Sequence, residues 1–241
     1  MLSGALIATA LAAAAGGLVR GITGFGGSMV MTPILTLMYE PRLIVPVVLL
    51  LEMFAAVPML KGAMGRAEFR TIAPICAAAF LLIPLGSYLL VNLDPALSRR
   101  WIACTVIVFA LLLLKKVRYT GPRTLGPSLA VGSLSGVLLG GTGIGGPPII
   151  LYILSGSSPI DTARANLTLI VSAISVAGLC VLWFRGMVVF TGPLSVLVLA
   201  PFYYGGTFLG MRCFRLFDEQ RFRQFTLSFL IVVSLVAFLR S

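Results

Sequence analysis

The sequence predicts an all-α, polytopic membrane protein made of two inverted repeats. Each repeat is read as a broken or re-entrant, glycine-rich helical hairpin followed by three transmembrane helices. Three observations carry this: charges are scarce, apolar runs of span length fill the chain, and its halves match at one constant offset. Of 241 residues, 59% are hydrophobic and 10% charged, and the mean hydropathy is +1.08. A soluble domain devotes roughly 25% of its residues to charge. Too few charges are present here to cover a water-facing exterior, so lipid is the solvent around most of the chain. The 26 glycines and 14 prolines agree, since membrane helices tolerate both better than soluble ones do.

Lys and Arg number 18 against 7 Asp and Glu, a formal charge of +11. In a soluble chain that excess would suggest nucleic acid. In a membrane chain it collects in cytoplasmic loops, or lines a basic vestibule that attracts anions. The expected partners are therefore the lipid bilayer and a small anion, with no nucleic acid. Cys76, Cys104, Cys180 and Cys213 lie within or at the end of apolar runs, without C-x-x-C spacing, which argues against disulfides and zinc. Histidine, the commonest acid–base residue and metal ligand, is absent, so no metal or cofactor is expected. Residues 2–19 are Ala-rich and apolar, and the first cation, Arg20, follows that run. A secretory signal opens with its basic region, so this segment reads as mature, membrane-embedded structure.

An offset of 119 residues aligns the two halves without a gap. It carries Thr23-Gly24-Phe25-Gly26-Gly27 onto Thr142-Gly143-Ile144-Gly145-Gly146, Gly17 onto Gly136 and Gly21 onto Gly140. Further along, Arg66 falls on Arg185, Pro74 on Pro193 and Gly86 on Gly205. Apolar matches between membrane segments arise by chance, but matched Arg, Pro and Gly at one shift indicate duplication. The repeats are taken as residues 1–119 and 120–241, within one integral membrane domain.

Apolar runs cover 2–19, 22–39, 43–60, 71–93 and 101–114, then 125–154, 165–184, 187–210 and 224–240. The run 125–154 is too long for one straight span of about 20 residues and too short for two. Its centre, Gly140-Gly141-Thr142-Gly143-Ile144-Gly145-Gly146-Pro147-Pro148, cannot continue a helix. It is read as two half-helices meeting at a glycine break, and by the repeat so is 2–39.

Charge decides whether that element crosses or returns. If it returns, Lys61, Arg66, Arg70, Lys115, Lys116, Arg118, Arg123, Arg164, Arg212, Arg215, Arg221 and Arg223 share one side. Arg42, Arg99, Arg100, Arg185 and Arg240 take the other. If it crosses, the bias vanishes. The positive-inside rule favours the first arrangement, whose three crossings per repeat invert one half relative to the other, a symmetry common in secondary transporters.

Two broken hairpins related in this way bring their glycine turns together near the bilayer midplane. Backbone groups freed there cannot face lipid. A helix starting at Gly26-Gly27-Ser28 or at Gly145-Gly146-Pro147 aims unpaired N–H groups and a positive dipole end at an anion. The candidate substrate-binding residues are therefore Thr23, Gly24, Gly26, Gly27 and Ser28 with Thr142, Gly143, Gly145 and Gly146, the threonines adding hydroxyl donors. The competing reading is that the glycines only permit tight helix packing.

The arrangement resembles the TauE/SafE sulfite exporter family of transporters, also called the four-toluene-sulfonate uptake permease family. The likeness rests on the motifs Gly21-Ile22-Thr23-Gly24-Phe25-Gly26-Gly27 and Gly140-Gly141-Thr142-Gly143-Ile144-Gly145-Gly146. Pro33, Ala165-Asn166-Leu167, Lys61-Gly62 and Arg185-Gly186 add to it. It covers essentially the whole chain and implies transport of sulfite, sulfonates or related sulfur-containing anions, in either direction. Members often carry Thr-x-Leu where this chain has Asn166-Leu167.

Glu52 lies deep in its run, opposite the apolar Val171 in the repeat. A carboxylate at that depth must be protonated or paired, and it is the candidate for coupling to H⁺ or Na⁺, a structural hydrogen bond being the alternative. Asn166 is a further ligand candidate or an interhelical hydrogen-bond partner. Arg20 and Arg164 are vestibule candidates, whereas Arg66 and Arg185 are either interfacial anchors that snorkel to headgroups or pathway residues that recruit an anion from either side. The function read from these features is secondary transport of a small sulfur-containing anion across the bacterial inner membrane by alternating access. An anion channel with a re-entrant-loop filter is the alternative. An enzyme is not expected without His, metal-ligand clusters or paired acids, and no Gly-x-x-x-x-Gly-Lys-Ser/Thr occurs for ATP.

Overall fold

The computed structural model describes residues 2–23, 25–117, 119–156, 159–187, 196–213 and 219–239. Among the described residues all regular structure is helical. The first half holds α1 (Leu2–Thr23), α2 (Gly27–Thr36), α3 (Pro41–Met64), α4 (Phe69–Asn92) and α5 (Pro95–Leu114). The second holds α6 (Leu125–Thr142), α7 (Gly146–Ile153), α8 (Ile160–Phe184), α9 (Val196–Cys213) and α10 (Glu219–Leu239). Stretches long and apolar enough to cross a bilayer are Leu6–Thr23, Phe69–Asn92, Pro95–Leu114, Leu125–Thr142 and Asp161–Phe184. The protein is an all-helical, multi-pass membrane protein.

The shift of 119 maps α1–α5 in order onto α6–α10, and the starts of α2 and α3 onto those of α7 and α8. Local chemistry sets several starts. Pro41 and Pro95 occupy the first turns of α3 and α5, where a missing N–H leaves nothing unpaired. Asp94 caps α5 by accepting from the Ala96 N–H at 3.0 Å. This carries the helix, with Arg99 and Arg100, ahead of the apolar run that opens at Trp101.

Each broken element doubles back at its glycine turn. Met31 of α2 lies against Gly16 of α1, and the Thr9 and Tyr39 hydroxyls meet at 3.2 Å. In the second half the Ser128 and Tyr152 hydroxyls meet at 2.9 Å, and Arg123 donates to the carbonyls of Tyr152 and Ile153. The limbs are not equal half-helices, however. α1 and α6 have 22 and 18 residues, α2 and α7 only 10 and 8. The short limbs end at Thr36 and Ile153, ahead of Glu40-Pro41 and Ser155-Gly156, helix-ending pairs just past the apolar runs.

The halves interleave. α1 packs on α9, and its repeat mate α6 packs on α4. Glycine makes these contacts backbone to backbone. A Cβ built on Gly17 or Gly21 would lie 2.0 Å from the Tyr203 carbonyl oxygen or 2.2 Å from that of Thr207. On their mates Gly136 and Gly140 it would lie 2.3 Å from those of Ala79 and Ile83. These are the small-residue faces by which membrane helices approach closely. α3 and α8 pack on each other, as do α5 and α10. α3 and α8 run antiparallel: Leu49 lies by Gly178, while Arg66, just past the end of α3, is 3.6 Å from Asp161 at the start of α8. Arg66 and Asp161 are both well exposed. Arg185 donates to the Pro84 carbonyl at 3.2 Å and sits over the Tyr88 ring.

Candidate functional site

The turn conformations follow from glycine. Gly26 has φ of 85° and Gly143 of 72°, left-handed values at which a side chain costs roughly 1–2 kcal/mol. Nothing crowds a Cβ at either position, the nearest atoms being 3.8 Å and 3.5 Å away, so any strain is conformational. Gly26→Ala and Gly143→Ala should each lower stability by about 1–2 kcal/mol, whereas Gly65→Ala, with φ of −76° and open space around it, should not. Thermal unfolding in detergent checks this. Equal melting temperatures for all three variants would remove the conformational argument.

Thr23 and Thr142 hold the turns. Each hydroxyl donates to the carbonyl four residues back, Val19 at 2.8 Å and Leu138 at 2.6 Å. Each also accepts from the N–H two residues on, at Phe25 and Ile144. The Thr23 hydroxyl lies 2.5 Å from the Phe25 carbonyl as well. These hydroxyls were expected as donors to an anion; their protons are engaged by backbone.

Both turns line one cavity. Gly26 and Ser28 come from the first, Gly143, Gly145, Gly146 and Pro147 from the second. Glu52 of α3 and its repeat mate Val171 of α8 close the sides, with Ser175 beside Val171. The space is tight: about 10 Å³ is open to the centre of a water-sized sphere, room for about one water. Gly24 lies outside the described residues.

Glu52 is paired. One carboxylate oxygen accepts from the Ser28 N–H at 2.8 Å and from the Tyr203 hydroxyl at 2.9 Å. The other meets the Arg20 guanidinium. Arg20 and Glu52 are only 2% and 3% exposed. Arg20, expected at a vestibule, is thus a buried counter-ion from α1 to a carboxylate on α3. Gly27 makes the approach possible, since a Cβ there would fall 2.3 Å from the Tyr203 hydroxyl and 2.6 Å from the Glu52 oxygen. Tyr203 escaped the sequence reading, although a tyrosine whose repeat mate is Pro84 is a visible departure from symmetry.

Arg164 crosses between halves, donating to the Ile22 carbonyl at 3.5 Å, beside the first turn. Asn166 does not reach the cavity lining. Its side-chain oxygen accepts from the Glu68 N–H at 2.8 Å, fixing the start of α4, and it is buried.

A family model described as sulfite exporter TauE/SafE matches residues 9–237. The chain belongs to the TauE/SafE family. TauE/SafE proteins are membrane transporters of sulfite and other sulfur-containing anions, and the match runs through both glycine turns, the Arg20–Glu52 pair and Tyr203. No curated protein and no solved structure matches the chain.

Proposed function

We propose that this TauE/SafE protein is a secondary transporter that moves sulfite, a sulfonate such as sulfoacetate, or a similar small anion across the bacterial inner membrane. The observation that carries the reading is the convergence of two glycine turns, one from each repeat, on a single cavity flanked by Glu52 and Val171. Those side residues are repeat mates on antiparallel helices, which supports an inverted arrangement with a pseudo-two-fold passing near the cavity. Alternating access then exposes the cavity to each face in turn. Its tightness fits an occluded site rather than an open pore.

Energetics tie direction to Glu52. With the inside negative, one negative charge moving outward gains about 2.3 kcal/mol per 100 mV. Export therefore runs downhill, while import needs a co-transported H⁺ or Na⁺, and Glu52 is the carboxylate in the cavity wall that can carry it. The test is uptake of radiolabelled sulfite, sulfoacetate and sulfate into proteoliposomes under imposed pH, Na⁺ and voltage gradients. Saturable, gradient-dependent uptake is expected, with Glu52→Gln losing accumulation and keeping downhill exchange. Non-saturating conductance in planar bilayers would replace the transporter with a channel. Undiminished concentrative uptake by Glu52→Gln would end the coupling role.

A further inference from the structure

We propose that Glu52 is an internal stand-in for the transported anion. Its carboxylate occupies the donors that a substrate anion takes over when it binds: the Arg20 guanidinium, the Ser28 N–H and the Tyr203 hydroxyl. This rests on the reading that the cavity takes a sulfur-containing anion, and deepens it by naming what the anion displaces.

The first turn of α2 is an anion-binding helix end, and the anion on it is the protein's own. The Ser28 N–H, second residue of that helix, points at Glu52 at 2.8 Å. The absent side chain at Gly27 is what lets a carboxylate and a phenol reach that end together. Nor is the donor set matched to a carboxylate. Arg20, 2% exposed, keeps its Nε buried with no hydrogen-bond partner among the described residues. A sulfite or sulfonate group brings three oxygens to the place where a carboxylate brings two. The N–H edge of the guanidinium that includes the unpartnered Nε suits the third oxygen, because the planar fork of Arg favours bidentate recognition of oxyanions.

The duplication shows that the ion pair is not needed to build this architecture. Moved by 119, Arg20 and Glu52 become Leu139 and Val171. The same pair of helices, α6 and α8, folds in the second half with two apolar side chains at those positions. A buried ion pair also tends to contribute little net stability relative to apolar residues of similar volume. The pair is therefore retained for what it does. Glu52 lines the cavity with both turns, so an anion entering there reaches the donors that Glu52 holds, and the tight cavity has to widen as the carboxylate gives way.

The experiment uses the full-length protein in detergent, with sulfite, methanesulfonate, acetate and chloride as probes, read by calorimetric titration and by the rise in melting temperature. Glu52→Gln removes the competing charge and should bind sulfite about tenfold tighter or more, since apparent affinity is the intrinsic one reduced by the fraction of molecules with free donors. R20L/E52V, which copies the Leu139–Val171 pair, should still fold, at a cost set by the Ser28 N–H and Tyr203 hydroxyl that lose their acceptor, and lose at least tenfold in sulfite affinity. The proposal is overturned if Glu52→Gln binds all four anions no more tightly than wild type. It is equally overturned if R20L/E52V binds sulfite as wild type does, or does not fold, since the pair is then a structural strut. Tightening confined to acetate or chloride would uphold displacement and remove the sulfur-anion reading. Tight sulfite binding, equal in wild type and Glu52→Gln, would do the reverse.

Discussion

Arg20→Leu alone should destabilise the protein by about 3–5 kcal/mol, while R20L/E52V should lose less. The single substitution leaves the Glu52 carboxylate 3% exposed with the Ser28 N–H and the Tyr203 hydroxyl as its remaining donors. Two neutral donors stabilise a buried charge less than a guanidinium does, and the desolvation penalty of the carboxylate is no longer offset. The double substitution removes both charges together, leaving side chains of the kind that already pack at positions 139 and 171, and its remaining cost is the Ser28 N–H and Tyr203 hydroxyl left without an acceptor. Thermal and denaturant unfolding in a single detergent measures the difference. If the single and double variants lose the same stability, the carboxylate left unpaired is not what destabilises Arg20→Leu.

The second large effect concerns the glycine faces. Gly17→Ala and Gly136→Ala should each abolish monodisperse protein or lower its melting temperature severely, while Gly126→Ala, also inside a helix, should be neutral or slightly stabilising. At positions 17 and 136 the added carbon would meet a backbone carbonyl oxygen at 2.0 Å and 2.3 Å, and at 126 it would meet nothing within 4 Å. A side chain can rotate away from an intruding methyl, but a helix backbone cannot. Relief then requires α1 and α9, or α4 and α6, to separate along their whole contact. Overpacking in cores costs about 1–3 kcal/mol where side chains can adjust, and here they cannot. Yield and melting temperature across the three variants decide it; tolerance of alanine at 17 and 136 would mean the helices are not in backbone contact.

Much of this architecture was legible in the chain. Turn and packing glycines are both present in the matched motifs: Gly26 and Gly143 adopt φ values unfavourable for other residues, while Gly17, Gly21, Gly136 and Gly140 let backbones touch. The packing reading of glycine thus holds at 17, 21, 136 and 140, while at 26 and 143 glycine supplies the turn conformation. Helix lengths were less legible, because an apolar run records burial in lipid and says little about where inside it the backbone stops being helical. The convergence of the turns could be anticipated from symmetry, but the fate of the threonine hydroxyls could not. A hydroxyl beside a helix end satisfies the backbone next to it before any ligand, and residue type does not distinguish the two uses.

The Arg20–Glu52 pair was missed as a pair although both members were noticed. The signal was the departure from repetition. Arg20 replaces a leucine and Glu52 a valine of the other copy, and two charged departures of opposite sign in one repeat are natural partners. Tyr203, standing where the repeat has Pro84, is a third departure at the same place. Asn166, second in its apolar run, was open to a ligand contact or an interhelical hydrogen bond, and its side chain makes a bond of the second kind, to the Glu68 N–H.

The crossing over of the two halves bears on how the chain is made. Synthesis runs from the amino end, so the glycine stripe of α1 enters the bilayer long before α9, the helix that covers it, has left the ribosome. Until nearly the whole polypeptide exists, that stripe has only lipid or a temporary neighbour against it. The α4–α6 contact can close much earlier, since its members emerge close together. Assembly should thus begin with the α4–α6 contact and finish with that of α1 on α9, the contact that brings Tyr203 to the Arg20–Glu52 pair.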